Sequence, residues 1–173
     1  VAAAICVPPV AAQSLLPRHH IEDLPNGLRL VTVPTPQPNI VCVYVIVGTG
    51  SRNEVEPGKS GFAHFFEHMM FRGTKNYTSA QQAAFFKKIG ADRNAYTNTD
   101  FTAYHTTFGK DDLDEVLRME ADRFQNLHYE VGPFRTEAMA VLGEYNKNAA
   151  NPVNRIFEQI QDSIPFYTDC GRM

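Results

Sequence analysis

The stretch 61–73, GFAHFFEHMMFRG, constrains this chain more than any other. It sets His64, Glu67 and His68 into an otherwise apolar run. On a helix, residues four apart lie one turn above each other, so the two histidines share a face with Glu67 beside them. Imidazole is a good zinc ligand, and an unligated carboxylate nearby can take a proton from water, so the pattern carries the working set of a metallohydrolase. The spacing HxxEH is the inverse of the commoner HExxH. The competing reading makes both histidines ordinary helix residues among Phe65, Phe66, Met69, Met70 and Phe71. A zinc held by two histidines needs one more protein ligand while leaving a position open for water, so the fold has to bring a further donor from elsewhere.

With 173 residues, 43% of them hydrophobic and 20% charged, the chain is long enough for one globular domain with its own core. A net charge of -3 offers no electrostatic footprint for nucleic acid, and no basic run suggests a membrane surface. No run of apolar residues is long enough to span a bilayer. Residues 1–12, VAAAICVPPVAA, read as the remnant of a secretory signal, with Val10 and Ala12 as the small residues before a cut at Gln13. That reading places the protein outside the cytoplasm, in a bacterial periplasm or secreted. Cys6 falls in this segment, and Cys42 and Cys170 form no CxxC pair. Cys42, between Val41 and Val43, reads as a buried strand residue.

Further along, His19 and His20 belong to a polar lead-in, and Asn26-Gly27 turns the chain into an alternating strand over 28–33. IVCVYVIV from Ile40 is β-branched enough for a buried strand. Ser60 suits a helix N-cap and Gly73 a helix stop. A second helix is expected over 78–89, with Ala83, Ala84, Phe85 and Phe86 packing. Strands over 91–97 and 101–108 form a hairpin about residues 98–100. His105 reads as a packed or half-exposed strand residue rather than a ligand, and His128 as a loop residue. A long amphipathic helix over 110–127 turns Leu113, Val116, Leu117 and Phe124 inward, and further helices cover 133–148 and 152–163. The fold class is α/β (α+β): a twisted, largely antiparallel mixed sheet with helices packed on one side.

Glu137 and Glu144, seven apart and so on one helical face, are the candidates for the missing donor; the alternative is that both are solvated charges. HFFEH followed by MMFRGT, with a glutamate 76 residues beyond His68, resembles the pitrilysin/insulinase family of inverted-motif zinc metallopeptidases. LPNGLRLVTV, GADRNAYTNTDFTAYH and FRTEAMAVLGEYNKN agree, so the matches spread over 24–158. The resemblance implies a pitrilysin-like metallopeptidase domain with one zinc ion on His64, His68 and Glu144. It implies Glu67 as general base and Glu137 as an accessory acidic residue. It also implies that Asn94, Ala95 and Thr97 form the edge-strand segment on which a peptide substrate lies, a mode that makes physical sense for any free strand edge. Phe65, Phe66, Met69 and Met70 would then pin the zinc helix to the sheet.

In that family one peptidase domain is longer than this chain and works with a second related domain or subunit that completes the substrate chamber. Residues 13–173 therefore read as the N-terminal part of a zinc peptidase domain. The end of the chain, PFYTDCGRM, departs from the family pattern. The leading function is a zinc endopeptidase acting on peptides or unstructured segments. A non-catalytic scaffold or peptide-binding subunit is the rival, against which stands the full set of candidate ligands and base. A purely structural zinc site fits two histidines and a glutamate poorly, because that set leaves a position open.

Overall fold

The computed structural model describes residues 17–56, 58 and 60–163. It divides into two compact units, Val1–Pro38 and Asn39–Met173. The first contains a hairpin of β1 (His20–Asp23) and β2 (Arg29–Thr32), paired antiparallel in the register His20 to Thr32. Its turn uses Gly27 at φ 85, and an exposed Arg29–Asp23 ion pair of 2.7 Å ties the strands together. His20 thus begins a strand rather than lying in a loop. Polar β1 has no apolar alternation to reveal it, and its pairing with β2 makes it a strand. The expected signal segment lies outside the described residues, as does Cys170.

The second unit is built on a three-stranded sheet in the order β3-β5-β4, with β3 at Ile40–Val47, β4 at Asp92–Thr97 and β5 at Thr102–Gly109. Both pairings are antiparallel. Around it run α1 (Phe62–Met69), α2 (Ser79–Lys88), α3 (Leu113–Gln125), α4 (Val131–Ala149) and α5 (Pro152–Ser163). The core lies on one face of the sheet, where Phe86 of α2 and Val116 and Met119 of α3 meet Phe108 of β5, with Val41 and Val43 of β3 packed against them. The other face of β3 carries Ile40, Cys42, Tyr44 and Ile46, all exposed. Cys42 is therefore a surface thiol. An alternating strand with one covered face buries every second residue, and Cys42 has the wrong parity. His105 is half-buried and stacks on Tyr44 at 5.2 Å between centroids.

Local signals place α2 and the hairpin well. Thr78 and Gln81 form a reciprocal capping box at the start of α2. Phe86 is buried there, but Ala83 and Ala84 face solvent, and Gln82 takes an inward position instead. On α3, Leu117 and Phe124 are exposed, and the inward positions belong to Val116, Met119, Glu120 and Arg123. The reason is a buried charge cluster that no apolar periodicity announces. Glu120 is paired with Arg123 and lies 3.6 Å from Arg93 of β4. Two guanidiniums thus share one carboxylate, and aromatic faces meet the excess charge: Arg93 lies 4.8 Å from Phe71 and 4.3 Å from Phe86, and Arg123 lies 4.6 Å from Tyr104. Desolvated cation–π contacts of this kind contribute about 2 kcal/mol each. Burial, with the neighbouring Arg123 charge, pushes Arg93 down to about 10. Phe71 follows directly on α1, so the cluster anchors the end of the helix that bears the histidines.

Candidate metal centre

Helix α1 opens at Gly61, whose φ of 93 is a left-handed backbone that a side chain would strain. Ser60 is not its cap. Instead the Glu54 carboxylate reaches across the preceding loop and accepts from the amides of Gly61 and Ala63, both at 2.5 Å. The carboxylate also complements the positive end of the helix. Met69, fully buried, and Met70 seat the helix. Phe65 packs edge-on against Phe134 of α4 at 5.0 Å, whereas Phe66 is 49% exposed and pins nothing. The helix ends at Met69, before Gly73. Gly73 serves the next turn, where a Cβ would come 3.1 Å from the Ser79 amide.

Three donor atoms from α1 and α4 converge. His64 Nε2 and His68 Nε2 are 3.2 Å apart, and Glu144 Oε2 lies 3.5 Å from the first and 3.7 Å from the second. Zinc bonds of 2.0–2.1 Å at tetrahedral angles set neighbouring ligand atoms about 3.3–3.4 Å apart. The observed triangle therefore fits one zinc ion with a side left open. Among the described residues this is the one group of three potential metal donors brought together.

Glu137, two turns before Glu144 on α4, is only 2% exposed. Its Oε2 lies 3.1 Å from His68 Nδ1, and its Oε1 pairs with Arg72. A carboxylate only accepts, so His68 donates through Nδ1 and keeps its lone pair on Nε2, the atom that points into the triangle. Glu67, on the same helix, is nearly buried and accepts a hydrogen bond of 2.6 Å from Thr97 Oγ1.

The expected substrate residues divide by strand geometry. Asn98 N–H donates to Phe101 O, so by alternation the backbones of Asn94 and Tyr96 face β5 and those of Arg93, Ala95 and Thr97 face the free edge. Side chains alternate too: Ala95 and Thr97 turn toward the helices, and Asn94 turns to the exposed face. Asn94 Oδ1 folds back to accept the Ala95 amide at 2.9 Å. Sequence reasoning did not identify Arg72, the Glu54 cap or the Thr97–Glu67 bond. Each joins residues whose meeting depends on tertiary folding, and no local spacing signals them.

Residues 29–165 match the family described as Insulinase (Peptidase family M16). An uncharacterized zinc protease of Rickettsia bellii is 34% identical over 145 residues, covering 84% of this chain and 35% of that protein. The crystal structure of a protease from Helicobacter pylori superposes with a TM-score of 0.81 at 32% identity, covering 91% of this chain and 39% of that one. The first half of the periplasmic protease PqqL from Escherichia coli gives 0.75 at 28% identity, over 84% of this chain and 33% of that one. The chain spans about a third of the length of the curated relatives it matches. On the matched span and these identities, the chain belongs to the insulinase family of zinc proteases, peptidase family M16.

Proposed function

We propose that this chain is the N-terminal part of a zinc-dependent endopeptidase, with His64, His68 and Glu144 as ligands to one ion and Glu67 as general base. The observation that carries the reading is the donor triangle of 3.2, 3.5 and 3.7 Å, open on one side and backed by a buried carboxylate on His68. A bound zinc supplies a local positive charge that polarises a carbonyl and acidifies water. The protein's own groups do the rest. Glu137 holds the His68 tautomer through one oxygen, and Arg72 engages the other. Glu67 accepts a proton from the attacking water and returns it to the leaving amine.

The peptide would lie along the free edge of β4, where the backbones of Ala95 and Thr97 face outward. Its carbonyl would displace Asn94 Oδ1 from the Ala95 amide. Main-chain bonding of this kind accepts extended segments with little regard to sequence, which fits unfolded peptides as the substrate class. A second peptidase-like domain or subunit completes the site, a reading supported by the share of its relatives that the chain covers and by a neighbour described as the first half of a protease. Work outside the cytoplasm is supported by the apolar residues 1–12 and by the periplasmic neighbour. Among the described residues no helix is long and apolar enough to cross a membrane.

The test compares the full-length natural protein with Glu67→Gln. The variant is expected to keep its zinc and lose peptide hydrolysis; hydrolysis at the parent rate would remove Glu67 as the base.

A further inference from the structure

The Glu67 carboxylate of α1 lies beside the hydroxyls of Thr97 and Thr102, and the acceptor of each hydroxyl proton can be deduced. Thr102 Oγ1 is 3.0 Å from the carbonyl oxygen of Thr49, which can only accept, so the single Thr102 proton is committed there. Thr97 Oγ1 is 3.2 Å from Thr102 Oγ1 and 2.6 Å from Glu67 Oε2. An ionised carboxylate also only accepts, so the Thr97 proton goes to Glu67. The length is that of a charge-assisted O–H···O⁻ bond. Among the described residues Thr97 is the only group that donates a hydrogen bond to the Glu67 side chain, and it engages one oxygen only.

The strand that carries Thr97 is held firmly. Thr97 and Thr102 are the last pair of the hairpin, and its turn is clamped from the side: the amides of Ser51 and Arg52 donate to the carbonyls of Asn98 and Thr99 at 3.1 and 2.9 Å, and Arg52 pairs with Asp100 at 2.7 Å. Gly50 permits this approach, since a Cβ there would lie 2.3 Å from Asn98 O.

We propose that Thr97 is a positioning residue for the general base: its hydroxyl fixes Glu67 Oε2 and leaves Oε1 presented for the proton of the attacking water. This rests on the peptidase reading above and gives the Thr97 side chain a task distinct from that of its backbone, which faces the peptide edge. A strand that binds substrate through its main chain would thus set the base through its side chain, coupling the two within one residue.

The test uses Thr97→Val, which keeps the shape and removes the donor, and Thr97→Ser, which keeps the donor. Zinc content, kcat and KM are read on unfolded fluorescein-labelled casein with the full-length natural protein. Thr97→Val is expected to lower kcat about 10–100-fold, as a misplaced reacting group does, with KM and zinc content unchanged. Thr97→Ser is expected to recover to within about threefold of the parent. A serine variant as slow as the valine one, or a valine variant as fast as the parent, overturns the proposal. A second measurement does not depend on activity: in zinc-free protein a double-mutant cycle of Thr97→Val with Glu67→Ala should show a coupling of about tenfold or more in the unfolding constant. Additive effects would mean that the bond is not formed. A parent without hydrolysis would sink the peptidase reading, while the cycle would still decide whether Thr97 holds Glu67.

Discussion

Replacing Glu137 by glutamine should weaken zinc binding much more than it weakens the fold. The carboxylate has two oxygens and two clients, His68 Nδ1 on Oε2 and Arg72 on Oε1. An amide has one acceptor. If its oxygen stays on His68, its NH2 is turned against the Arg72 guanidinium, donor against donor. If its oxygen goes to Arg72, its NH2 faces His68 Nδ1, which must then become the bare nitrogen and leave the proton on Nε2, where the metal should bind. Arg72 is 42% exposed and can return to water, so its side of the loss costs under about 1 kcal/mol. His68 is 21% exposed and cannot move without leaving the triangle. The loss therefore falls on the metal, and partners of this kind are worth about 10–100-fold in affinity, or about 1.4–2.7 kcal/mol. Titrating zinc-free parent and Glu137→Gln against a colorimetric chelator measures it. Equal affinities within about threefold, with equal thermal stability, would refute the tautomer argument.

Three other outcomes follow from the surroundings of the site. Glu54→Gln leaves one acceptor for two helix amides and removes a charge from the start of α1; urea unfolding of the zinc-free protein should show a loss of about 1–2 kcal/mol, and no loss would mean that the cap is idle. Gly50→Ala drives a methyl into the backbone of Asn98 and Thr99, and should destabilise by about 1–3 kcal/mol in the same assay, unlike the open Gly132→Ala. Asp122 joins the turn after α1 to the end of α3. Burial raises its pKa, but side-chain hydrogen bonds from Thr74, Asn76 and Asn126 outweigh that and hold it below 3.8. Since the folded value lies below the unfolded one, its contribution is complete above about pH 4 and is lost as pH falls through the folded value. Asp122→Asn should therefore lower stability at neutral pH and flatten the acid limb of the stability profile. An unchanged acid limb would show that Asp122 does not titrate this way.

What could be read from the sequence was local or periodic. The HxxEH helix, the capping box at Thr78 and Gln81 and the hairpin about residues 98–100 each follow from a few neighbouring residues, and the structure has them close to where they were expected. The parts that were misread depend on distant partners. Ser60 suited the N-cap by type, but Glu54 caps the helix through a loop. Leu117 and Phe124 looked like core by hydropathy, yet α3 is rotated so that Glu120 and Arg123 reach Arg93 and the aromatic faces. Hydropathy cannot indicate burial of charged residues whose partners, a shared carboxylate and aromatic faces, are brought together from several elements. At the candidate centre the residue types were legible from spacing, and their division of labour only from the family resemblance. Nothing in the spacing of Glu137 and Glu144 tells that one is buried against His68 and Arg72 while the other, 49% exposed, faces both histidines.

In the proposed function His64, His68 and Glu144 hold one zinc ion on a shared face. Crystals of the full-length natural protein grown with zinc, measured on either side of the zinc absorption edge, test it most directly. A single anomalous peak is expected about 2.0–2.2 Å from His64 Nε2, His68 Nε2 and a Glu144 oxygen. A peak bound through His68 Nδ1, or one that leaves Glu144 out of its ligand shell, would contradict it.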